Sequence, residues 1–277
     1  MSRQTVQTTN LKIQHLVVAA LFGSATHVAW ATGIDLPNSL PNMIGGGVGS
    51  TTDYAGGKDR MVGVVPGLRY VTSGGHLLEW YGPYAQFDFG GVTGFQWGPA
   101  VALRLGRKHV DDPVVSQIHE VDTTVEGGGY VGYEYEHAGS FPYRLRGSVT
   151  VLTNAGAVYT GARVSVNGSA WAPVSPRVFL GAGLGAGWVS QGFNQTYYGV
   201  TAEDAGRSGL PAFSPSGGLE QITSWGAAIY QFNRNWFGGA MIYYQRLTGS
   251  AADSPIVTQR GTRNQITYGV GVAYAFR

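Results

Sequence analysis

The sequence predicts an all-β protein: a transmembrane antiparallel up-and-down β-barrel of about twelve strands, within a range of ten to fourteen. Three observations carry this. Apolar residues alternate over long stretches, as in the closing segment "QITYGVGVAYAFR". There Ile266, Tyr268, Val270, Val272, Tyr274 and Phe276 interleave with Gln265, Thr267, Gly269, Gly271, Ala273 and Ala275. A period of two sends these two sets to opposite faces of a strand. Charged residues make up only 12% of the chain, about half the usual ~25% of a soluble domain. No run approaches the ~18 consecutive apolar residues of a membrane-spanning helix. Low charge with alternating hydrophobicity is the pattern of a barrel that spreads its lipid face over every second residue.

The elements follow in chain order. Arg3 and Lys12 precede the apolar run "LVVAALFG" (Leu16 to Gly23), and "AWA" ends at Ala31. A basic start, a short apolar stretch and small residues at the cleavage site describe a secretory signal peptide over residues 1–31. The remaining residues, 32–277, form a single outer-membrane barrel domain. Losing Arg3 and Lys12 from 18 basic residues leaves 16, against 16 acidic ones. A neutral mature chain lacks the basic footprint that nucleic acid requires. The absence of cysteine rules out disulfides and thiol chemistry and suits an exported protein.

Strands are expected near residues 43–50, 61–71, 76–81, 84–90, 94–105 and 123–136, then 143–152, 158–171, 178–189, 219–232, 236–247 and 265–276. The third and fourth are short enough to be one bent strand. An even number suits a single-chain barrel. Gly98–Pro99 interrupts the fifth segment, and because proline cannot donate to a ladder a bulge is expected there. "HAGSFP", "APVSP" and "NRN" are tight and read as periplasmic turns. "GRKHVDDPVVSQIHEVD", residues 191–217 and "TGSAADSPIVTQRGTR" are long and read as external loops. Apolar content in the last two fits either of two readings: that they fold together over or into the barrel mouth, anchored by Tyr197, Tyr198 and Ile256, or that the loops merely pack against one another.

Alternation also assigns the interior. Arg104, Glu126, Glu134, Glu136, Arg144, Arg146 and Arg163 fall on the inward face. An arginine facing lipid at mid-membrane costs ~2–4 kcal/mol, which enforces that assignment. Two readings stand for these charges: a charged pore constriction, or a salt-bridged plug that holds neighbouring strands in register; the second is simpler. In "LGAGLGAGW" the glycines 181, 183, 185 and 187 face inward, where a neighbouring group can approach closely. No helix follows, so the run is not a nucleotide loop.

Candidate chemistry is sparse. His109, Asp111, Asp112, His119 and Glu120 share one external loop, but their spacing fits no closed metal-ligand pattern. His137 lies near Ser140 in a tight turn without the setting of an activated nucleophile. The sequence therefore points to no enzyme and no cofactor. In the last strand Gly271, Tyr274 and Phe276 have the spacing read by the barrel-assembly machinery, although Arg277 follows the terminal aromatic.

Several blocks carry a resemblance: "GGGVGSTTDYAGGKDRMVGVVPGLRY" (Gly45 to Tyr70), "GPAVALRLGRKHVDDPVVSQIHEVDTTVEGGGYVGYEY" (Gly98 to Tyr135) and "TYYGVTAEDAGRSGLPAFSPSGGLEQI" (Thr196 to Ile222). Within them and the segment that follows, Tyr198, Gly199, Val200 and Thr201 pair with Asp253, Ser254 and Pro255 as the most specific motif. Together these blocks resemble the MltA-interacting protein family, also called MipA/OmpV, over essentially the whole mature chain. The resemblance implies an integral barrel of the Gram-negative outer membrane, contacting lipid and lipopolysaccharide. It further implies a scaffold for a murein transglycosylase and a penicillin-binding murein synthase, with a narrow porin-like channel for small solutes as the alternative. It brings no catalytic residues.

Overall fold

The computed structural model describes residues 41–108 and 110–276; the expected leader, His109 and Arg277 lie outside them. The described residues form β1 (Asn42–Thr52), β2 (Arg60–Val71), β3 (Leu77–Tyr81), β4 (Tyr84–Asp88), β5 (Gly94–Arg104), β6 (Thr124–His137), β7 (Tyr143–Asn154), β8 (Ala162–Ser175), β9 (Val178–Val189), β10 (Gly218–Gln231), β11 (Trp236–Leu247) and β12 (Asn264–Phe276). Each strand pairs antiparallel with its chain neighbours, and β1 pairs with β12 to close the barrel. Closure removes the sheet edges, which is the condition for crossing a bilayer with strands. No described helix is long and apolar enough to cross.

The outer face is built from the alternate apolar set. Val62, Leu184 and Val270 are 60–70% exposed, values that a water-soluble surface would not repeat around a whole barrel. Aromatics gather toward the strand ends: Trp236 meets Tyr274 edge-to-face at 5.3 Å, and Tyr70 stacks with Phe276 at 6.3 Å. Outward-facing Arg60 and Arg246 sit at the ends of β2 and β11. Arg60 is held there by hydrogen bonds to Ser50 and the Ile266 carbonyl, with its guanidinium 4.9 Å from the Tyr268 ring.

Connections alternate in length. Residues 72–76, 89–93, 138–142, 176–177 and 232–235 form one end, hereafter the turn end. Residues 105–123, 190–217 and 248–263 dominate the other, the loop end. The short third and fourth segments are two separate strands, joined at residues 82–83 with Gly82 in the left-handed region (φ 54°). The β2–β3 ladder runs only from Val71↔Leu77 to Gly67↔Tyr81, so residues 60–65 of β2 have no β3 partner.

The bulge expected at Gly98–Pro99 is absent: β5 pairs with β6 residue for residue from Gly94↔Glu134 to Arg104↔Thr124. The ladder to β4 lapses there instead. It holds at Gln86↔Ala100 and resumes with the Phe89 N–H donating to the Trp97 carbonyl. The odd-numbered residues of β5 face β4, so Pro99 falls where a donor to Phe87 would be needed, and the interruption absorbs the missing N–H. Register shifts occur elsewhere, between Leu219 and Gln221 and between Pro173 and Ser175. The first brings both Glu220 and Gln221 to buried positions.

The long loops carry short helices that no sequence period announced: α1 (Gln191–Tyr198), α2 (Ala202–Ser208), α3 (Gly249–Asp253) and α4 (Pro255–Thr258). Their starts are chemically defined. Ser190 caps α1 by accepting from the Phe193 N–H. Thr201 and Asp204 form a reciprocal capping box on α2, and Ser254 caps α4 with Pro255 at its first position. Such caps satisfy backbone donors that a short helix leaves open.

Candidate functional site

The loop end of the barrel is roofed. Phe193, Tyr197 and Tyr198 of α1 are 1%, 3% and 0% exposed and pack with Tyr159, Val189, Leu247, Ala251, Ala252 and Val257. A second apolar cluster, Tyr54, Val115, Ile118, Val200, Leu210 and Ile256, joins the loops above it. Thus Tyr197, Tyr198 and Ile256 anchor the roof, as the first reading of the loop composition has it. Each burial of a large side chain of this kind contributes ~1.5–3 kcal/mol, so the roof is a folded body and not a set of free loops.

Polar ties lock its parts. Arg107 donates to the Tyr197 carbonyl at 2.9 Å and to the His119 carbonyl at 3.2 Å. Burial lowers its pKa to about 10, so it stays charged at neutral pH. Arg260 grips the Asp112 carboxylate through two nitrogens at 2.9–3.2 Å. Burial raises the Asp112 pKa, but Arg260 and the Val114 and Val115 N–H groups outweigh it and hold the carboxyl below its usual range. Asp204, fully buried, accepts from the His119 N–H, the Thr201 hydroxyl and Arg207, and its Oδ2 lies 2.6 Å from His119 Nδ1. Burial opposes its ionisation, yet these partners keep it well below the carboxylate range. Of the residues considered as metal ligands from sequence, Asp112 is thereby engaged with Arg260 and His119 with Asp204, while Glu120 lies 3.8 Å from Lys108. Among the described residues no group of three or more His, Asp or Glu is placed to hold a metal ion.

Both blocks of the sequence motif meet inside this roof. The buried Ser254 hydroxyl donates to the Tyr198 carbonyl at 2.7 Å, and the Tyr198 hydroxyl donates to Glu220 at 2.9 Å. Val200 forms an isolated antiparallel bridge with Phe213, while Asp253 pairs with Arg263 at 2.9 Å. These conspicuous residues act as a clasp: one block supplies the carbonyl, the other the hydroxyl that starts α4.

Beneath the roof lie the inward charges. Glu126, 0% exposed, accepts from Arg104 Nε at 2.7 Å, from Arg163 at 2.9 Å and from the Tyr159 hydroxyl at 2.8 Å. The Phe193 ring lies 5.2 Å from both guanidiniums, so α1 seats directly on the ion cluster. A second network occupies the turn half. Glu134 pairs with Arg144, and Arg146 reaches Glu79 at 3.5 Å. Gln86 and Tyr81 also donate to Glu79, at 2.8 and 2.9 Å. Of the seven charged positions assigned inward from sequence, six are buried, whereas Glu136 is exposed near the end of β6. Arg69, Glu79 and Asp88 are buried as well and escaped the sequence reading, although Leu77, Glu79 and Tyr81 alternate in "LLEWY" and place the glutamate inward.

The opposite wall is bare. A Cβ added at Gly181 would lie 2.4 Å from the Trp171 ring, and one at Gly183 would lie 2.4 Å from Trp225. The glycines of β9 thus give room to two tryptophans from β8 and β10. In the terminal strand Gly271 faces inward, and a Cβ there would come 3.0 Å from the Gly46 carbonyl; Tyr274 and Phe276 hold the outer contacts already described.

Known proteins match this chain as follows. The family model described as MltA-interacting protein MipA matches residues 44–276. The "MltA-interacting protein" of Escherichia coli (strain K12) is 32% identical over 94 residues, 34% of this chain and 36% of that protein. The protein of the same name from Shigella flexneri gives identical figures, so the match spans about a third of the length of these relatives. Among solved structures, the translocator domain of autotransporter NalP from Neisseria meningitidis shows 14% identity and a TM-score of 0.43, covering 88% of this chain and 91% of that one.

Proposed function

The chain belongs to the MltA-interacting protein family, and from that premise we propose that it is an integral outer-membrane barrel that anchors murein-cleaving and murein-building enzymes and performs no chemistry itself. One observation carries this reading: the loop-end mouth is filled by interlocked helices seated on a buried ion cluster. A barrel closed in this way offers its turn end as the working surface. Phe141, Val174 and Phe232 are 52–59% exposed there, beside the polar turn Asn233, Arg234 and Asn235. The names of the relatives state an interaction with MltA, and the partner class implied by the family is a murein transglycosylase.

The test is binding between the barrel in lipid nanodiscs and a soluble lytic transglycosylase from the same envelope. Saturable binding that Phe141→Asp and Phe232→Asp weaken at least tenfold supports the anchor. Absence of binding, with the barrel folded, overturns it. A narrow conduit for small solutes is the second reading, favoured by the glycine and alanine wall of the lumen. Steady conductance in a planar bilayer, increased by deleting residues 191–217, would support that reading.

A further inference from the structure

The lumen is divided. One side holds the ion networks of β3 to β8, and the other holds a cavity of about 240 Å³ against β1, β2 and β10 to β12. Its side-chain lining includes Met43, Val65, Trp171, Ile229, Phe237 and Met241, and the backbone of glycine-rich β1, β11 and β12 completes the wall. Three properties bear on what such a space can hold. Its size exceeds the ~150 Å³ of an engineered apolar cavity that stays dry and admits benzene. Its lining is predominantly apolar, with Arg69, Tyr81 and Trp171 the side chains that bring polar groups, and an ordered water needs two to four partners. The Trp171 ring nitrogen is a buried donor without a hydrogen-bond partner in the structure, on a side chain only 4% exposed. A buried donor left unmade is unfavourable, and here it belongs to a residue that lines this cavity.

We propose that this cavity is a binding site for a small uncharged apolar molecule of roughly eight to ten carbons, scaled from the benzene case, that carries one acceptor oxygen for Trp171. Mostly apolar walls with a few placed polar groups are the usual composition of a small-molecule site. The proposal stands apart from the anchoring role and fails or survives independently of it.

The glycines provide the test. At Gly67 and Gly239 a new Cβ would meet nothing closer than 3.9 Å and 3.5 Å, respectively. Neither has a positive φ. A leucine at either position therefore enters the cavity without breaking the wall. Met43 and Met241 line the space, and Met61, also on an inward position of β2, does not. The full barrel labelled with ¹³C at its methionine methyls, in detergent, is titrated with octan-1-ol. The expected result is a saturable shift of Met43 and Met241 with Met61 unmoved, lost or weakened at least tenfold in Gly67→Leu. Gly239→Leu serves equally if Gly67→Leu does not fold, folding being read from heat-modifiable gel mobility. A linear, equal drift of all three methyls would reflect partitioning into detergent and overturn the proposal. Undiminished saturation in a folded cavity-filled variant would overturn it too.

Discussion

Replacing Glu126 tests the interior most directly. Its carboxylate is 0% exposed and serves two guanidiniums, Arg104 at 2.7 Å and Arg163 at 2.9 Å, themselves 9% and 3% exposed. Removing one partner of a buried ion pair costs about 3–5 kcal/mol, because the remaining charge is left uncompensated. Here two cations lose the same partner, so Glu126→Leu should fall at the upper end, about 4–5 kcal/mol. That corresponds to a roughly thousandfold loss in the folded-to-unfolded ratio. The assay is urea unfolding of the barrel in lipid vesicles, followed by tryptophan fluorescence and gel mobility. The triple variant Arg104→Met, Glu126→Leu, Arg163→Met should recover most of the loss, since an apolar replacement of a whole buried network is often neutral. Destabilisation by Glu126→Leu of less than about 1 kcal/mol, the size of a surface pair, would refute the reasoning: the cluster would then be as hydrated as an exposed one.

Other consequences follow from the roof and the wall. Asp112→Asn removes the carboxylate that holds Arg260, and trypsin should then cut after Arg260 at least tenfold faster. In the unaltered protein on intact cells both Arg207 and Arg260 should resist trypsin, and rapid cleavage at them would contradict a folded roof. Burial raises the Asp53 pKa to about 6, above the ordinary ~3.9. The folded state then holds a proton that the unfolded state releases, so stability falls as pH rises through roughly 4 to 6 and stays lower above that. Asp53→Asn should therefore slow amide exchange in residues 53–59 at pH 8 and leave it unchanged near pH 4; equal effects at both values would exclude this cause. Gly181→Ala drives a methyl into the Trp171 ring and should destabilise the barrel by ~1–3 kcal/mol, measured by the same urea assay.

The barrel was readable because period two is a strong local signal, and because arginine and glutamate on one face of a strand leave only one place to point. Alternation alone therefore places Arg104, Glu126, Glu134, Arg144, Arg146 and Arg163 on the inner face. It weakened where the strand ran out, as at Glu136, and where Pro99 fell opposite an already broken ladder. The roof was half visible. Its composition announced burial, but α1 to α4 span only four to eight residues each, too few for a helical period to show. Its decisive ties join residues far apart in the chain, 148 positions for Arg260 and Asp112, 90 for Arg107 and Tyr197. No local pattern encodes such a pairing.

At the seam where β1 meets β12, Gly45, Gly47 and Gly49 stand opposite Ala273, Gly271 and Gly269. The backbones are so close that a Cβ at Gly47 would come within 2.4 Å of the Val270 carbonyl oxygen. Along these three pairs the first and last strands can therefore join without an inner side chain having to choose a rotamer or slide past another. Closing the cylinder becomes a matter of aligning hydrogen bonds along a smooth inner lining.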